Sequence, residues 1–145
     1  MKPFKLQSVL DYRKRIEKMA QKSLLFYLEK QSSLDAEKQK KQKELLKLFD
    51  ELQSAEQKGT FLPEVMLYEK CIQDKKRGVE EIARKLEGLS SEINCKKDEL
   101  IKARQEKRTL EILKEKNEEK EKRKQRHREN VFSDEAAILG LGERK

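Results

Sequence analysis

A regular spacing of apolar residues in the second half of the chain constrains its fold more than any other feature. From Val65 to Leu110, positions that alternate three and four residues apart are apolar in eleven of fourteen cases, and the residues between them are mostly charged. This alternation over about seven heptads is typical of a coiled-coil helix, which cannot bury its stripe alone. The chain must therefore fold back on itself or bind a partner. The repeat positions are Val65, Tyr68, Ile72, Lys75, Val79, Ile82, Leu86, Leu89, Ile93, Lys96, Leu100, Ala103, Lys107 and Leu110.

The first half carries a weaker repeat with the same spacing, apolar at ten of fifteen positions. Between Gln31 and Lys41 only Leu34 is apolar. Near the N-terminus a second stripe, formed by Val9, Tyr12, Ile16 and Met19, competes with the first, so two registers are possible. The positions of the first stripe are Leu6, Leu10, Arg13, Glu17, Ala20, Leu24, Tyr27, Gln31, Leu34, Lys38, Lys41, Leu45, Leu48, Leu52 and Ala55.

The two repeats are separated by Gly59 and Pro63. A glycine at positive φ ends helices, and proline is compatible with a first helical turn, here followed by Glu64 at the positive end of the helix dipole. The loop is short, which favours antiparallel neighbours whose residue numbers add to about 120. The sequence predicts an all-α fold, a single coiled-coil domain over 1–145 that forms a long antiparallel two-helix hairpin. Helix 1 covers about 4–57, the loop 58–63, helix 2 about 64–130 with a charged C-terminal overhang, and a flexible or short-helix tail 131–145.

Composition supports this architecture and limits the partners. The chain is 44% charged and 34% hydrophobic, which suits narrow seams rather than a deep core. Its net charge of +8 makes acidic surfaces, nucleic acid or anionic lipid possible partners. No run approaches the length of a membrane span, and the first residues lack the apolar core of a secretory signal. Cys71 and Cys95 lie on one predicted helix roughly 36 Å apart, too far for a disulfide, which fits a reducing cytoplasm.

The sequence contains no pattern that indicates catalysis, a cofactor or a metal. Neither G-x-x-x-x-G-K nor G-x-G-x-x-G occurs, and the single histidine, His127, lies between two arginines. One histidine and two distant cysteines do not form a metal site. We therefore expect a non-enzymatic protein without cofactors or a small-molecule substrate.

Two regions are candidates for partner contact. The basic stretch 120–128 is either a solvated helix face or an electrostatic contact with an acidic cavity or phosphates. No aromatic residue lies between Tyr68 and Phe132, which argues against nucleic-acid recognition. At the predicted loop, Phe49, Phe61 and Met66 are apolar residues off the repeat or in the loop, beside Tyr68, and they indicate either ordinary loop packing or a docking patch.

Two segments carry a resemblance to a known family. The opening Phe4–Arg13, F-K-L-Q-S-V-L-D-Y-R, is similar to F-x-L-Q-x-x-L-x-x-[RK], and Glu64–Ile72, E-V-M-L-Y-E-K-C-I, is similar to E-M-x-x-Y-x-x-F-[IV]. Both patterns, the length, the basic charge and the two-helix layout resemble the FliJ family of flagellar export proteins. Cys71 stands where the family commonly has phenylalanine, which weakens the expectation of a contact at this position.

The resemblance implies a cytoplasmic stalk of the flagellar type III export apparatus, bound to the membrane only through partners. Its implied partners are the export ATPase FliI hexamer, whose ring assembly it would promote, the export gate protein FlhA and export chaperones. Carried onto this chain, the ATPase contact comprises Leu6, Leu10, Arg13, Arg123, Lys124, Arg126 and Arg128. The gate contact comprises Phe49, Tyr68, Cys71 and Ile72. A stalk of a related injectisome and a basic coiled coil that binds nucleic acid remain as alternatives.

Overall fold

The computed structural model describes residues 3–143 and, in this range, contains two helices and no strand. Helix α1 spans Gln7–Gln57 and helix α2 spans Leu62–Glu143, and the two pack against each other. The predicted all-α helical hairpin is confirmed.

The helix ends differ from the sequence-based bounds mainly at the C-terminus. The sequence predicts an end near residue 130 followed by a flexible or short-helix tail, whereas α2 continues to Glu143. Between Val131 and Leu139 there is no proline or glycine, and Glu135, Ala136 and Ala137 favour helix, so no stop signal precedes Gly140. Residues 144 and 145 of the predicted tail lie outside the described residues.

The connection between the helices follows the expected turn chemistry. Gly59 has a φ of 75°, as predicted for the residue that ends α1. The Thr60 hydroxyl donates a hydrogen bond to the Ala55 carbonyl, one of the unpaired acceptors at the end of α1. On the other side, the Phe61 carbonyl accepts the first bonds of α2, and Glu64 supplies the acidic residue of its first turn.

The chain divides into two compact units where the sequence predicts one coiled-coil domain. The terminal unit combines Met1–Met19 with Ile101–Lys145, of which residues 3–19 and 101–143 are described. The loop unit comprises Ala20–Leu100 and includes the connection between the helices. Each unit contains segments of both helices.

In the terminal unit, contacts between the helices decide which of the two competing stripes is buried. Leu10 and Ala103 are buried, with exposures of 1% and 4%. Arg13 Nη1 lies 2.6 Å from Glu106 Oε2, in the antiparallel register expected from the loop. The residues of the competing stripe stay largely at the surface, with Tyr12 53% and Met19 65% exposed.

The terminal unit also places a charged residue in its seam. Glu17 is the one buried charged residue among the described part of the chain. Its carboxylate lies 2.5 Å from Lys107 Nζ and 3.6 Å from Arg104 Nε. Because a buried carboxylate needs compensating charge, these two cations explain how the seam accommodates Glu17.

In the loop unit, four apolar residues of the α2 repeat are buried, Ile72, Ile82, Ile93 and Leu100. The two lysines of this repeat in the loop unit interact with side chains of α1. Lys75 Nζ lies 2.5 Å from Glu44 Oε2, and this hydrogen bond and charge lower the pKa of the glutamate. The Lys96 ammonium lies 5.7 Å from the centre of the Tyr27 ring. Lysine stems thus cover the seam where apolar residues are missing.

Replacement of Gly88 and of Gly59 by alanine should change the free energy of unfolding in opposite directions. A Cβ at Gly88 would meet nothing within 4 Å, so Gly88→Ala should raise the free energy of unfolding by about 1 kcal/mol through helix propensity. Gly59→Ala should lower it by about 1 kcal/mol, because its φ of 75° is unfavourable for alanine. Urea unfolding monitored by circular dichroism tests both. A stabilised Gly59→Ala would show that the turn does not require positive φ.

Candidate interaction surfaces

The described residues contain no cluster of three or more His, Cys, Asp or Glu side chains suited to a metal ion. Cys71 and Cys95 are free thiols at the surface, and His127 is exposed. The candidate sites that remain are surfaces that could bind a macromolecule.

The N-terminal residues predicted for ATPase contact differ in their accessibility. Leu6 is 40% exposed, whereas Leu10 is 1% exposed and lies in the seam. Arg13 is half-buried and held by Glu106. Leu10 is therefore not available to a partner while the helices are packed, and Arg13 is available only in part. Leu10 is buried in the seam, and Arg13 pairs with Glu106 of α2.

The predicted basic residues lie on a fully exposed part of α2. We name residues 122–140 the C-terminal surface, since every one of them is exposed. Arg123 makes one loose ion pair, with Glu119 at 3.9 Å. Beyond the basic residues, Phe132 is 72% exposed and Leu139 is 68% exposed. The segment thus presents cations followed by apolar side chains on one continuous helix.

The residues predicted for gate contact are also split between surface and core. Cys71 is exposed. Phe49 is 40% exposed, with the Lys76 ammonium 5.4 Å from its ring centre. Tyr68 is half-buried, and Ile72 is only 5% exposed because it occupies a central seam position. Ile72 is therefore a packing residue.

A more exposed apolar group lies beside Gly59. Four side chains are between 61% and 79% exposed, and we name them the loop surface: Phe61, Leu62, Met66 and Leu67. Sequence analysis singled out Phe61 and Met66 but not Leu62 and Leu67. The sequence does indicate that these two leucines are exposed, because apolar residues next to a loop and off the 3/4 repeat have no position in the seam.

Sequence analysis missed an open groove on the loop unit. It has a volume of about 650 Å³, within the range of ligand pockets. The Glu92 carboxylate raises the pKa of the Tyr27 hydroxyl at its edge, through a hydrogen bond and its negative charge. The signal in the sequence is the pairing of small residues, Ser33 and Gly88, on facing helices. We name it the Gly88 groove, lined by Tyr27, Lys30, Ser33, Leu34, Lys85, Gly88, Leu89 and Glu92.

The comparisons with known proteins identify the family. Within the described residues, neither helix contains a stretch long and apolar enough to cross a membrane. The family model described as "Flagellar FliJ protein" matches residues 1–145, the whole sequence. The chain belongs to the FliJ family. Comparison with curated proteins gives no match, and comparison with solved structures gives none either.

FliJ membership confirms the resemblance seen in the opening segment and in the segment after the loop. It makes this chain a component of the flagellar export apparatus, and the match to a flagellar family favours that machine over an injectisome. The FliJ family is a family of structural and export components and is not a known enzyme family. The C-terminal surface and the loop surface therefore belong to a component of this apparatus.

Proposed function

We propose that this FliJ-family protein is a stalk that promotes assembly of the export ATPase FliI ring and couples it to the export gate protein FlhA. The observation that carries the proposal is the C-terminal surface, a helical segment with dense positive charge and full exposure. This segment is part of α2, so its cations follow one another along a helix.

Charge attraction is the proposed basis of the ATPase contact. Arg123, Lys124, Arg126 and Arg128 are exposed, so they can approach an acidic ring lumen, and Arg123 leaves only its loose pair with Glu119 to do so. Exposed cations steer association and set its salt dependence more than they add affinity. Phe132 and Leu139 supply apolar area for the contact that follows. Leu6 is the one predicted N-terminal residue that remains free enough to join them.

The loop surface is the proposed site for the gate. Phe61, Leu62, Met66 and Leu67 form an apolar group on a chain that is otherwise highly charged, a composition typical of interaction sites. Phe49 and Cys71 are exposed and can extend it, while Ile72 supports the helix pair from inside. The two proposed contacts lie on different units, so a single chain could bind both partners. We place this protein on the cytoplasmic side, attached to the membrane apparatus only through its partners.

Reversal of the four charges Arg123, Lys124, Arg126 and Arg128 to glutamate tests the ATPase contact. We expect stimulation of ATP hydrolysis by purified export ATPase to fall to the basal rate, with fewer hexamers in sedimentation. The helical circular dichroism signal should remain close to that of the wild type, because these side chains are exposed.

A matched control keeps the same total charge change away from the C-terminal surface. Lys43, Lys47, Arg84 and Lys97 are exposed residues of the loop unit, and their reversal to glutamate should leave stimulation intact. Equal loss in both variants would mean that net charge alone matters. Unchanged stimulation by the first variant would overturn the proposed contact.

A further inference from the structure

The Gly88 groove is shaped by small residues on both helices. Ser33 on α1 and Gly88 on α2 line it, and a Cβ on Gly88 would meet no atom within 4 Å outside its chain neighbours and the adjacent backbone of its own helix. Half-buried Leu34 and Leu89 supply its apolar part. A glycine at such a point allows the backbone of another molecule to approach closely.

The charge around the groove is positive. Lys30 and Lys85 line it, and Glu92 is the one carboxylate among its lining residues. Glu92 is already engaged with Tyr27, and the Lys96 ammonium lies 5.7 Å from the centre of the Tyr27 ring. Among the lining residues, two lysines therefore stand against a single carboxylate.

An exposed aromatic residue extends the apolar part of this surface. Phe26 precedes Ser33 by seven residues, which is two helical turns, so both lie on the same face of α1. Phe26 is 56% exposed and packs edge-to-face against Tyr27 with ring centres 5.6 Å apart. Lys30 Nζ lies 5.2 Å from its ring centre, which places a cation beside the apolar platform.

We propose that the Gly88 groove and Phe26 form a docking surface for an acidic amphipathic helix of a partner protein. Two packed helices leave a groove along their line of contact, and a third helix fits it when small residues permit close approach. Apolar residues of the partner would contact Phe26, Leu34 and Leu89. Carboxylates flanking its apolar face would pair with Lys30 and Lys85, which selects an acidic helix over a basic one. This surface is separate from the loop and C-terminal surfaces and does not depend on the stalk function.

Fluorescence anisotropy with three labelled helical peptides on the full chain tests the proposal. The first carries leucine on one face flanked by glutamate, the second replaces its glutamates by lysine, and the third replaces its leucines by serine. We expect the first to bind most tightly. Gly88→Leu should fill the groove and weaken its binding at least tenfold, which is about 1.4 kcal/mol. The double charge reversal of Lys30 and Lys85 should weaken it by a similar factor.

Ser90→Leu is the matched control, since it adds the same side chain to an exposed position of α2 that does not line the groove. It should bind the first peptide like the wild type. Circular dichroism should show both leucine variants folded, because leucine favours helix over glycine and serine. The proposal would be overturned if the first peptide does not bind. It would also be overturned if Gly88→Leu binds the first peptide as tightly as the wild type does, or if the wild type binds the serine peptide as tightly as the first peptide. Either of these last two results would assign the binding to charge elsewhere, including the basic C-terminal surface.

Discussion

Leu10→Ala should lower the free energy of unfolding by about 2–4 kcal/mol, one of the largest effects of a single truncation in this protein. Leu10 is 1% exposed and is the most completely buried large side chain of the described residues. Truncation removes its transfer free energy and leaves a cavity that neighbouring side chains fill only in part. Chemical denaturation monitored by circular dichroism measures the loss.

Val9→Ala is the natural control for this prediction. Val9 is adjacent in sequence but belongs to the competing stripe and is 40% exposed. Its truncation should change the free energy of unfolding by about 0.5 kcal/mol. A larger cost for Val9→Ala than for Leu10→Ala would mean that the other stripe is buried and that the helices pack in the alternative register.

Glu17→Lys should destabilise the protein by about 3 kcal/mol. The Glu17 side chain is 12% exposed, and its carboxylate lies 2.5 Å from Lys107 and 3.6 Å from Arg104. A lysine there would place three cations together in a largely buried seam. Loss of one partner of a buried ion pair is costly because it leaves the other charge uncompensated. The denaturant concentration at the unfolding midpoint should fall. The slope of the free energy of unfolding against denaturant concentration should not change.

A charge swap distinguishes loss of the Glu17–Lys107 ion pair from a general disruption of the seam by the substitution. Adding Lys107→Glu to Glu17→Lys restores opposite charges, so the double variant should recover part of the lost free energy. Recovery should be incomplete, because a glutamate at 107 would lie near Glu111, which is now 3.8 Å from Lys107. Glu115→Lys is an exposed control at 62% side-chain exposure and should cost less than about 1 kcal/mol. No recovery in the double variant would show that the 17–107 contact does not hold the seam.

Much of the fold follows from local patterns that need no partner. Every position of the α2 repeat from Val65 to Leu110 is buried or half-buried, including the lysines, because the 3/4 spacing alone determines which face points to the other helix. Gly59 takes the expected positive φ for an equally local reason. The C-terminal bound was the weakest local inference. The sequence predicts an end of helix 2 near residue 130, yet no proline or glycine interrupts the chain between Val131 and Leu139.

The interaction surfaces were harder to predict because accessibility depends on packing. The family pattern marks Leu10 and Ile72 as contact residues, but both lie in the seam. Phe61, Leu62, Met66 and Leu67 have no seam position and remain exposed. The Gly88 groove arises where small residues of two distant segments coincide, so neither segment alone predicts it.

The sequence by itself determined that this chain is a helical hairpin, where it turns and where its positive charge lies. These properties depend on spacing, turn residues and composition, all of which act over a few neighbouring residues. The tertiary structure alone decided which N-terminal stripe is buried, which predicted contact residues are accessible and where a groove opens. These depend on contacts such as that between Arg13 and Glu106, which are 93 positions apart in the sequence. Local periodicity offers two nearly equivalent faces on α1, and only the side chains of α2 distinguish them.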